Sequence, residues 1–292
     1  MFDQLGLIGC GLMGGSFALA LRRAGLVKRI VGYSQSASTT EQAQQLGVID
    51  ATAPSALHAV SGADLVLVAV PVAASEITFA AIRPGISAET LVMDVGSTKS
   101  DVIAAARRGL QAQFGSFVPA HPIAGKERSG VEHADAALYA GRHVVLTPVE
   151  TTRLVNIQRA ATLWSAIGAQ VLTMTPEAHD STFAAVSHLP HLLAFAFVNG
   201  IASQPEGQRF LELAGPGFRD FTRIAAADPT MWHDVLLANR EQVLLQAKAF
   251  RHALDALEAT LRDGDSAALK NAIASASSMR SQWTMGSGSS LG

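Results

Sequence analysis

Cysteine is almost missing from this 292-residue chain: Cys10 stands alone. A single thiol cannot close an internal disulfide or build a multi-cysteine metal cluster, so a reducing compartment is the natural setting. Excess charge of one sign is missing too. Lys+Arg 22 against Asp+Glu 24 gives a net charge of −2, which offers no basic surface to nucleic acid. Charged residues make up 16% and aromatic residues 6%, but hydrophobic residues reach 49%, enough for sizeable cores and too much for a disordered chain. Long hydrophobic runs are short of what a membrane needs: the stretch from Leu65 to Ala74 falls well below the ~18–20 residues of a spanning helix. Met1-Phe2-Asp3 carries no basic n-region, and the apolar stretch Leu5 to Ile8 is too brief for a signal peptide. The expectation is a soluble, cytoplasmic protein without nucleic-acid or membrane partners, with room for about two domains at ~150 residues each.

What is present changes character along the chain. Short β-branched runs alternate with helical patterns over the first 175 residues. Strands are expected at Leu5–Gly9, Ile30–Tyr33, Leu65–Val70, Leu91–Val95, Phe117–Pro119, His143–Thr147 and Gln170–Met174. Helices are expected at Gly14–Ala24, Thr40–Leu46, Ala74–Ile82, Lys99–Arg107 and Thr152–Ile167. Continuous apolar strands between helices suit a parallel sheet covered on both faces, an α/β Rossmann-type doubly wound fold with its ligand at the carboxyl ends of the strands. After Pro176 no convincing strand follows, only Ala- and Leu-rich helices at Ala178–Ala202, Gln208–Leu213, Pro229–Leu261 and Ser266–Arg280. Val235, Leu236, Val243, Leu244, Leu254 and Leu257 fall at spacings that make a wide apolar stripe. An all-α half of this kind buries such a stripe against a second copy, so a homodimer is expected. The division reads 1–175 as a nucleotide domain, 176–284 as a helical substrate and dimerisation domain, and 285–292 as a disordered Gly/Ser-rich tail.

Gly9-Cys-Gly11-Leu12-Met13-Gly14 follows a strand directly and opens a helix, the context a dinucleotide fingerprint requires. Gly9 permits the tight turn, Gly11 admits the pyrophosphate, and Gly14 lets helix and strand pack closely. The backbone of Leu12 and Met13 and the strand end at Val70 and Pro71 complete the expected cofactor cradle. The second strand ends in Gly32-Tyr33-Ser34-Gln35-Ser36, with no carboxylate to grip a ribose 2′-hydroxyl. Ser34 and Ser36 can donate to a 2′-phosphate that meets no like charge, although no Arg stands there to pair with it. The cofactor is NADP or NAD, with the balance toward NADP or dual use.

Four further clusters place polar groups where a packed core would avoid them. Asp94-Val-Gly-Ser97-Thr-Lys99 ends a strand, and Ser97 is either a helix cap or a site residue. His121-Pro-Ile-Ala-Gly-Lys126-Glu127 follows another strand, and His121 either caps a loop or lies on the ligand edge. His188 and His191 in Ser-His-Leu-Pro-His share one helix face; without a third ligand at a suitable spacing they point to a substrate cleft and not to a metal. Asp220-Phe-Thr-Arg223, followed by Trp232, sets a guanidinium in mainly apolar surroundings, suited to a carboxylate or to an ion pair with Asp220.

With these motifs in hand, the chain resembles the prephenate dehydrogenases and their arogenate and cyclohexadienyl relatives. HPIAGKERSGVEHA, SHLPH and DFTRIAAADPTMW stand in that family's order behind the fingerprint, and the likeness runs to about residue 245. The resemblance implies an NAD(P)-dependent oxidative decarboxylation in tyrosine biosynthesis, from prephenate to 4-hydroxyphenylpyruvate or from arogenate to tyrosine. It implies that His121 takes the proton of the substrate hydroxyl and that Ser97 orients it. Arg223 would pair with a substrate carboxylate, and His191 and His188 would lie beside the substrate. Glu127 and Asp220 would tune the arginine, and Trp232 would wall the pocket. Lys126 departs from the Ser or Thr of many relatives and either meets an anion or pairs with Glu127. β-Hydroxyacid dehydrogenases and pyrroline carboxylate reductases share the two-domain plan, but the catalytic Lys expected in the first is replaced here by His188 and His191. A non-catalytic NAD(P)-binding redox sensor leaves His121, Ser97 and Arg223 unexplained.

Overall fold

The computed structural model describes residues 1–126 and 128–284. Strands β1 (Phe2–Ile8), β2 (Val27–Tyr33), β3 (Ala51–Thr52), β4 (Leu65–Val68), β5 (Leu91–Asp94) and β6 (Phe117–Val118) form one sheet in the order β3-β2-β1-β4-β5-β6. Every pairing in it is parallel. The order reverses between β1 and β4, which makes the carboxyl edge of those two strands the topological switch point. The two-residue β3 has no apolar run to announce it and was not expected from sequence.

Period-2 alternation explains how both sheet faces are covered. Leu5, Leu7, Leu65, Leu67, Leu91 and Met93 pack with Phe17 and Leu21 of α1 (Leu12–Arg23) and Leu163 and Trp164 of a later helix. Ile8, Val66, Val68 and Val92 face the other way. The second face is covered by α3 (Ala56–Val60), α4 (Ser75–Ile82) and α5 (Ser100–Leu110), with α2 (Ala37–Gln45) following β2.

The sheet ends at Pro119, which has no N–H to offer the ladder. The chain therefore leaves β6 and starts a separate small sheet of β7 (Ala120–Pro122), β8 (His143–Leu146) and β9 (Gln170–Thr173). β7 and β8 are antiparallel, and β8 and β9 are parallel. The segments expected at His143–Thr147 and Gln170–Met174 are thus strands, but of this second sheet. Between β8 and β9 runs α6 (Leu154–Ala166), whose Trp164 packs on Phe17 and Tyr139 with ring centroids 4.9 and 5.1 Å away.

The rest is helical: α7 (Pro176–Phe183), α8 (Leu189–Ala202), α9 (Gly207–Glu212), α10 (Pro216–Thr222), α11 (Pro229–Ala238), α12 (Arg240–Arg262) and α13 (Ser266–Gln282). The stretch expected as one regular helix over Ala178–Ala202 contains a π-helical turn at Ala184–His188. Pro190 follows directly, and the wider turn accommodates the ring and the missing N–H; such turns gather at functional sites. The expected Pro229–Leu261 helix breaks at Asn239, whose side chain is buried in the site described below.

By length and composition alone, the stretch Pro176–Ala202 is long and apolar enough to cross a membrane. However, His179, Asp180 and His188 within it are buried, the first two bonded to His121 and Ser100 of the strand domain and the third to Asn239. The apolar stripe of α12 splits in the chain as described: Val243 is buried, and Leu244, Leu254 and Leu257 are exposed. The Gly/Ser tail at 285–292 lies outside the described residues.

Candidate active site

The fingerprint has the geometry that a dinucleotide needs. Gly9 has φ +96°, and a Cβ there would lie 2.1 Å from the Ala69 carbonyl oxygen, at the start of the segment leading to Val70 and Pro71. A Cβ on Gly14 would lie 2.1 Å from the Gly9 oxygen, so α1 packs on the turn only as glycine allows. A Cβ on Gly11 would meet nothing within 4 Å, leaving the helix start open to a ligand. No side chain caps α1 at Gly11, so the N–H groups of Leu12 and Met13 face the opening as a ready anion site. Tyr139 donates its hydroxyl to the Met13 carbonyl at 2.7 Å and fixes this turn from behind.

At the end of β2, Ser34 Oγ accepts from the Cys10 N–H at 2.9 Å, and the Ser34 N–H bonds Thr40 Oγ1 at 3.0 Å. Ser36 Oγ lies 2.8 Å from Ser38 Oγ at the head of α2. Ser34 therefore braces the fingerprint turn and keeps its own hydroxyl hydrogen to donate.

Across the switch point, a buried ion pair carries the chain from the large sheet to the small one. Lys99 Nζ lies 2.5 Å from Asp94 Oδ2 and donates to the Ala120 carbonyl at 2.9 Å. The Ala120 N–H donates to Asp94 Oδ1 at 2.9 Å. Both backbone groups of Ala120 are held by side chains at the point where Pro119 has interrupted the ladder, and the next residue is His121.

His121 Nδ1 lies 2.8 Å from His179 Nε2, and His179 Nδ1 lies 2.8 Å from Asp180 Oδ1. Asp180 also accepts from the N–H groups of Lys99 and Ser100, at 2.8 and 2.9 Å, and so caps α5 from a distance. Asn239 Nδ2 donates to the Asp180 carbonyl at 2.8 Å and lies 3.1 Å from His188 Nδ1. Since that amide is a donor, His188 Nδ1 is the acceptor and its hydrogen sits on Nε2.

Burial, joined by the positive potential of His179, Lys99 and His188, holds the His121 pKa well below the usual histidine value. Burial likewise lowers His179 and takes His188 down to about 4. Burial of Asp180 opposes its charge, but the bonds from His179, Ser100 and the Lys99 N–H together keep its pKa low. At neutral pH the site is a carboxylate behind three neutral imidazoles.

His191 donates from Nδ1 to the Ser187 carbonyl at 2.9 Å and stacks on Trp232, with ring centroids 3.5 Å apart and planes 20° apart. Trp232 also meets His188 edge-on at 6.1 Å. Burial lowers the His191 pKa, its bond to the Ser187 carbonyl opposes that, and the Arg223 charge lowers it further. His121, His188, His191 and Trp232 are thus linked through one chain of contacts, and the Arg223 charge reaches its His191 end.

Other expected residues stand differently. Ser97 is half-buried between β5 and α5; Lys99 holds the N-cap position of α5, so the capping alternative for Ser97 fails. Lys126 bonds the Asp135 carboxylate at 3.1 Å and the His133 carbonyl at 3.0 Å. Asp135 is itself tied to α1 through Ser16, so Lys126 closes a loop over the cofactor helix. Asp220 is exposed and pairs with its neighbour Arg219 at 3.2 Å. Glu127 lies outside the described residues. His179, Asp180, Asn239 and the Asp94–Lys99 pair were not assigned roles from sequence; the adjacent His-Asp opening a helix was their one visible sign. Among the described residues no group of three or more His, Cys, Asp or Glu side chains could hold a metal ion.

A Rossmann sheet with an open fingerprint, followed by a helical region whose buried histidines link back to His121, defines a nicotinamide-dependent dehydrogenase. Residues 17–173 match the family model "prephenate dehydrogenase, nucleotide-binding domain", and residues 175–275 match "prephenate dehydrogenase, dimerization domain". The chain is 37% identical over 249 residues to prephenate dehydrogenase of Bacillus subtilis, a match covering 84% of this chain and 66% of that protein. It is 32% identical over 269 residues to cyclohexadienyl dehydrogenase of Zymomonas mobilis, with 91% of each covered. Among solved structures, prephenate dehydrogenase from Aquifex aeolicus in complex with hydroxyphenyl propionate and NAD+ superposes with a TM-score of 0.89 at 36% identity. That match covers 96% of this chain and 97% of the other. The chain belongs to the prephenate dehydrogenase family of NAD(P)-dependent oxidoreductases.

Proposed function

We propose that this protein oxidatively decarboxylates prephenate or arogenate, and that His121 is the base that takes the proton of the ring hydroxyl. The observation that carries the reading is His121 in β7, just past the carboxyl end of β6, neutral, with Nδ1 engaged and Nε2 left for a substrate. The hydroxyl proton passes to His121 Nε2 as the O–H electron pair forms the carbonyl. A nicotinamide bound at the fingerprint supplies the acceptor for the hydride leaving the same carbon. The ring carboxylate departs as CO2; the electron pair of the broken C–C bond makes the ring aromatic and the carbonyl pair moves onto its oxygen, which takes back the proton held by His121 as a phenol hydroxyl. Arg223 pairs with a substrate carboxylate, and His191 and Trp232 form the wall behind it. Ser97 lies at the β5 edge, where a substrate hydroxyl has to pass.

The same reading divides the chain at 175/176 into cofactor and helical domains and covers the exposed leucines of α12 with a second copy, making a homodimer; light scattering decides this. It places the enzyme in the cytoplasm. The missing acid at the end of β2, with the Ser34, Ser36 and Ser38 hydroxyls in its place, supports NADP or dual use over strict NAD. Initial rates at 340 nm, with prephenate or arogenate and NAD or NADP, test the reading. Turnover in any combination is expected, and its absence from all four with the cofactor bound refutes it.

A further inference from the structure

We propose that His179 and Asp180 are positioning residues that hold His121 in one tautomer, hydrogen on Nδ1 and lone pair on Nε2, ready to accept the substrate proton. The inference rests on the base assignment above and deepens it. The polarity of the chain is fixed from its buried end. An ionised carboxylate only accepts, and both Asp180 oxygens are held, Oδ1 by the Lys99 N–H and Oδ2 by the Ser100 N–H. His179 must therefore carry its hydrogen on Nδ1, and when neutral it presents a bare Nε2 to His121. His121 Nδ1 can only donate into it. Were His179 protonated, its Nε2–H would donate to His121 Nδ1 and force the His121 hydrogen onto Nε2, leaving no base. Complete burial of His179 disfavours that state.

The arrangement also serves the charged form of His121. When Nε2 takes the proton, the Nδ1–H bond to His179 becomes charge-assisted, and the Asp180 carboxylate lies one ring further on. The groups facing His121 are His179 and Asp180 from α7, His188 from the π-helical turn, and Lys99 ahead of α5, the last neutralised by Asp94 of β5. Phe183 closes the ring edge at 4.8 Å and keeps water off the pair. Asp180 is anchored by the helix end, so the carboxylate that sets the tautomer is placed by the fold and not by a flexible loop.

Two substitutions separate positioning from packing. His179→Phe fills the space and removes the acceptor; His179→Gln puts an amide oxygen close to where Nε2 was. In His179→Phe, kcat is expected to fall by roughly 100-fold or more, within the usual range for acid–base assistance, with KM within about threefold. His179→Gln recovers a large part of that loss. Nitrogen-15 histidine spectra, with the His121 signal identified by its disappearance in His121→Asn, should show hydrogen on Nδ1 in the wild type and a shift toward Nε2 in His179→Phe. Unchanged kcat in His179→Phe, equal losses in both variants, or hydrogen on Nε2 in the wild type each overturn the proposal. The wild-type spectrum decides even if His179→Phe does not fold. A wild-type enzyme inactive in all four substrate and cofactor combinations would sink the base assignment while the spectrum still reports the tautomer.

Discussion

Lys99→Met tests the part of the site that is most deeply buried. The Lys99 side chain is fully buried and its ammonium meets Asp94 at 2.5 Å and the Ala120 carbonyl at 2.9 Å. Methionine keeps most of the volume and removes the charge. Asp94 would then stay buried with two donors still in place, the Gly96 and Ala120 N–H groups at 2.8 and 2.9 Å. Removing one partner of a buried pair typically costs ~3–5 kcal/mol, and the surviving donors put the carboxylate near the low end of that range. The Ala120 carbonyl loses its donor as well, adding about 1 kcal/mol, for a total of about 4 kcal/mol. In a chain of this size that lowers Tm by roughly 8–16 °C. Urea unfolding and calorimetry at neutral pH measure it. Adding Asp94→Leu should restore part of the loss, because an apolar pair of similar volume replaces the charges. A Lys99→Met loss below about 1 kcal/mol would refute the reasoning, since it would mean that the charges contribute nothing where they stand.

Other outcomes follow from the same geometry. Ser34→Asp puts a carboxylate where a 2′-phosphate would sit, so the kcat/KM ratio of NADP to NAD should fall by ~10-fold or more in steady-state rates; an unchanged ratio removes Ser34 from cofactor choice. Arg223→Ala should raise KM for the substrate by ~10-fold or more, whereas His121→Ala should act mainly on kcat, and the reverse pattern would exchange their roles. A buried histidine whose folded pKa lies below its unfolded value of 6.5 contributes stability that is full above pH 6.5 and is lost as pH falls toward the folded value. For His188, at about 4, that is about 3 kcal/mol lost between pH 6.5 and 4, and His121 and His179 act in the same direction. Urea midpoints should drop across that interval in the wild type and drop less in His188→Asn; a flat profile contradicts the buried neutral imidazoles.

Local pattern determined much of this protein. Gly9, Gly11 and Gly14 between a strand and a helix define the cofactor turn because the backbone conformation and close packing there depend on the residues themselves. The continuous apolar run Leu65–Val68 defines a strand buried on both faces. The HPIAGKERSG, SHLPH and DFTR motifs, together with Trp232, marked His121, His188, His191 and Arg223 before any geometry was known. Only the tertiary structure decided what stands behind them. His179-Asp180 reads in sequence as the first turn of one more helix, yet its carboxylate caps another helix 80 residues earlier in the chain. Lys99, a charge that would ordinarily face solvent, is buried in an ion pair, and Asp220, expected to tune Arg223, is exposed beside Arg219. The split into two sheets at Pro119 and the π-helical turn ahead of Pro190 are likewise choices made by packing. Sequence pattern reports what a residue does to its own backbone and nearest neighbours. Partners distant along the chain are chosen by which elements the cores bring together, and the tautomer of His121 is set by such a partner.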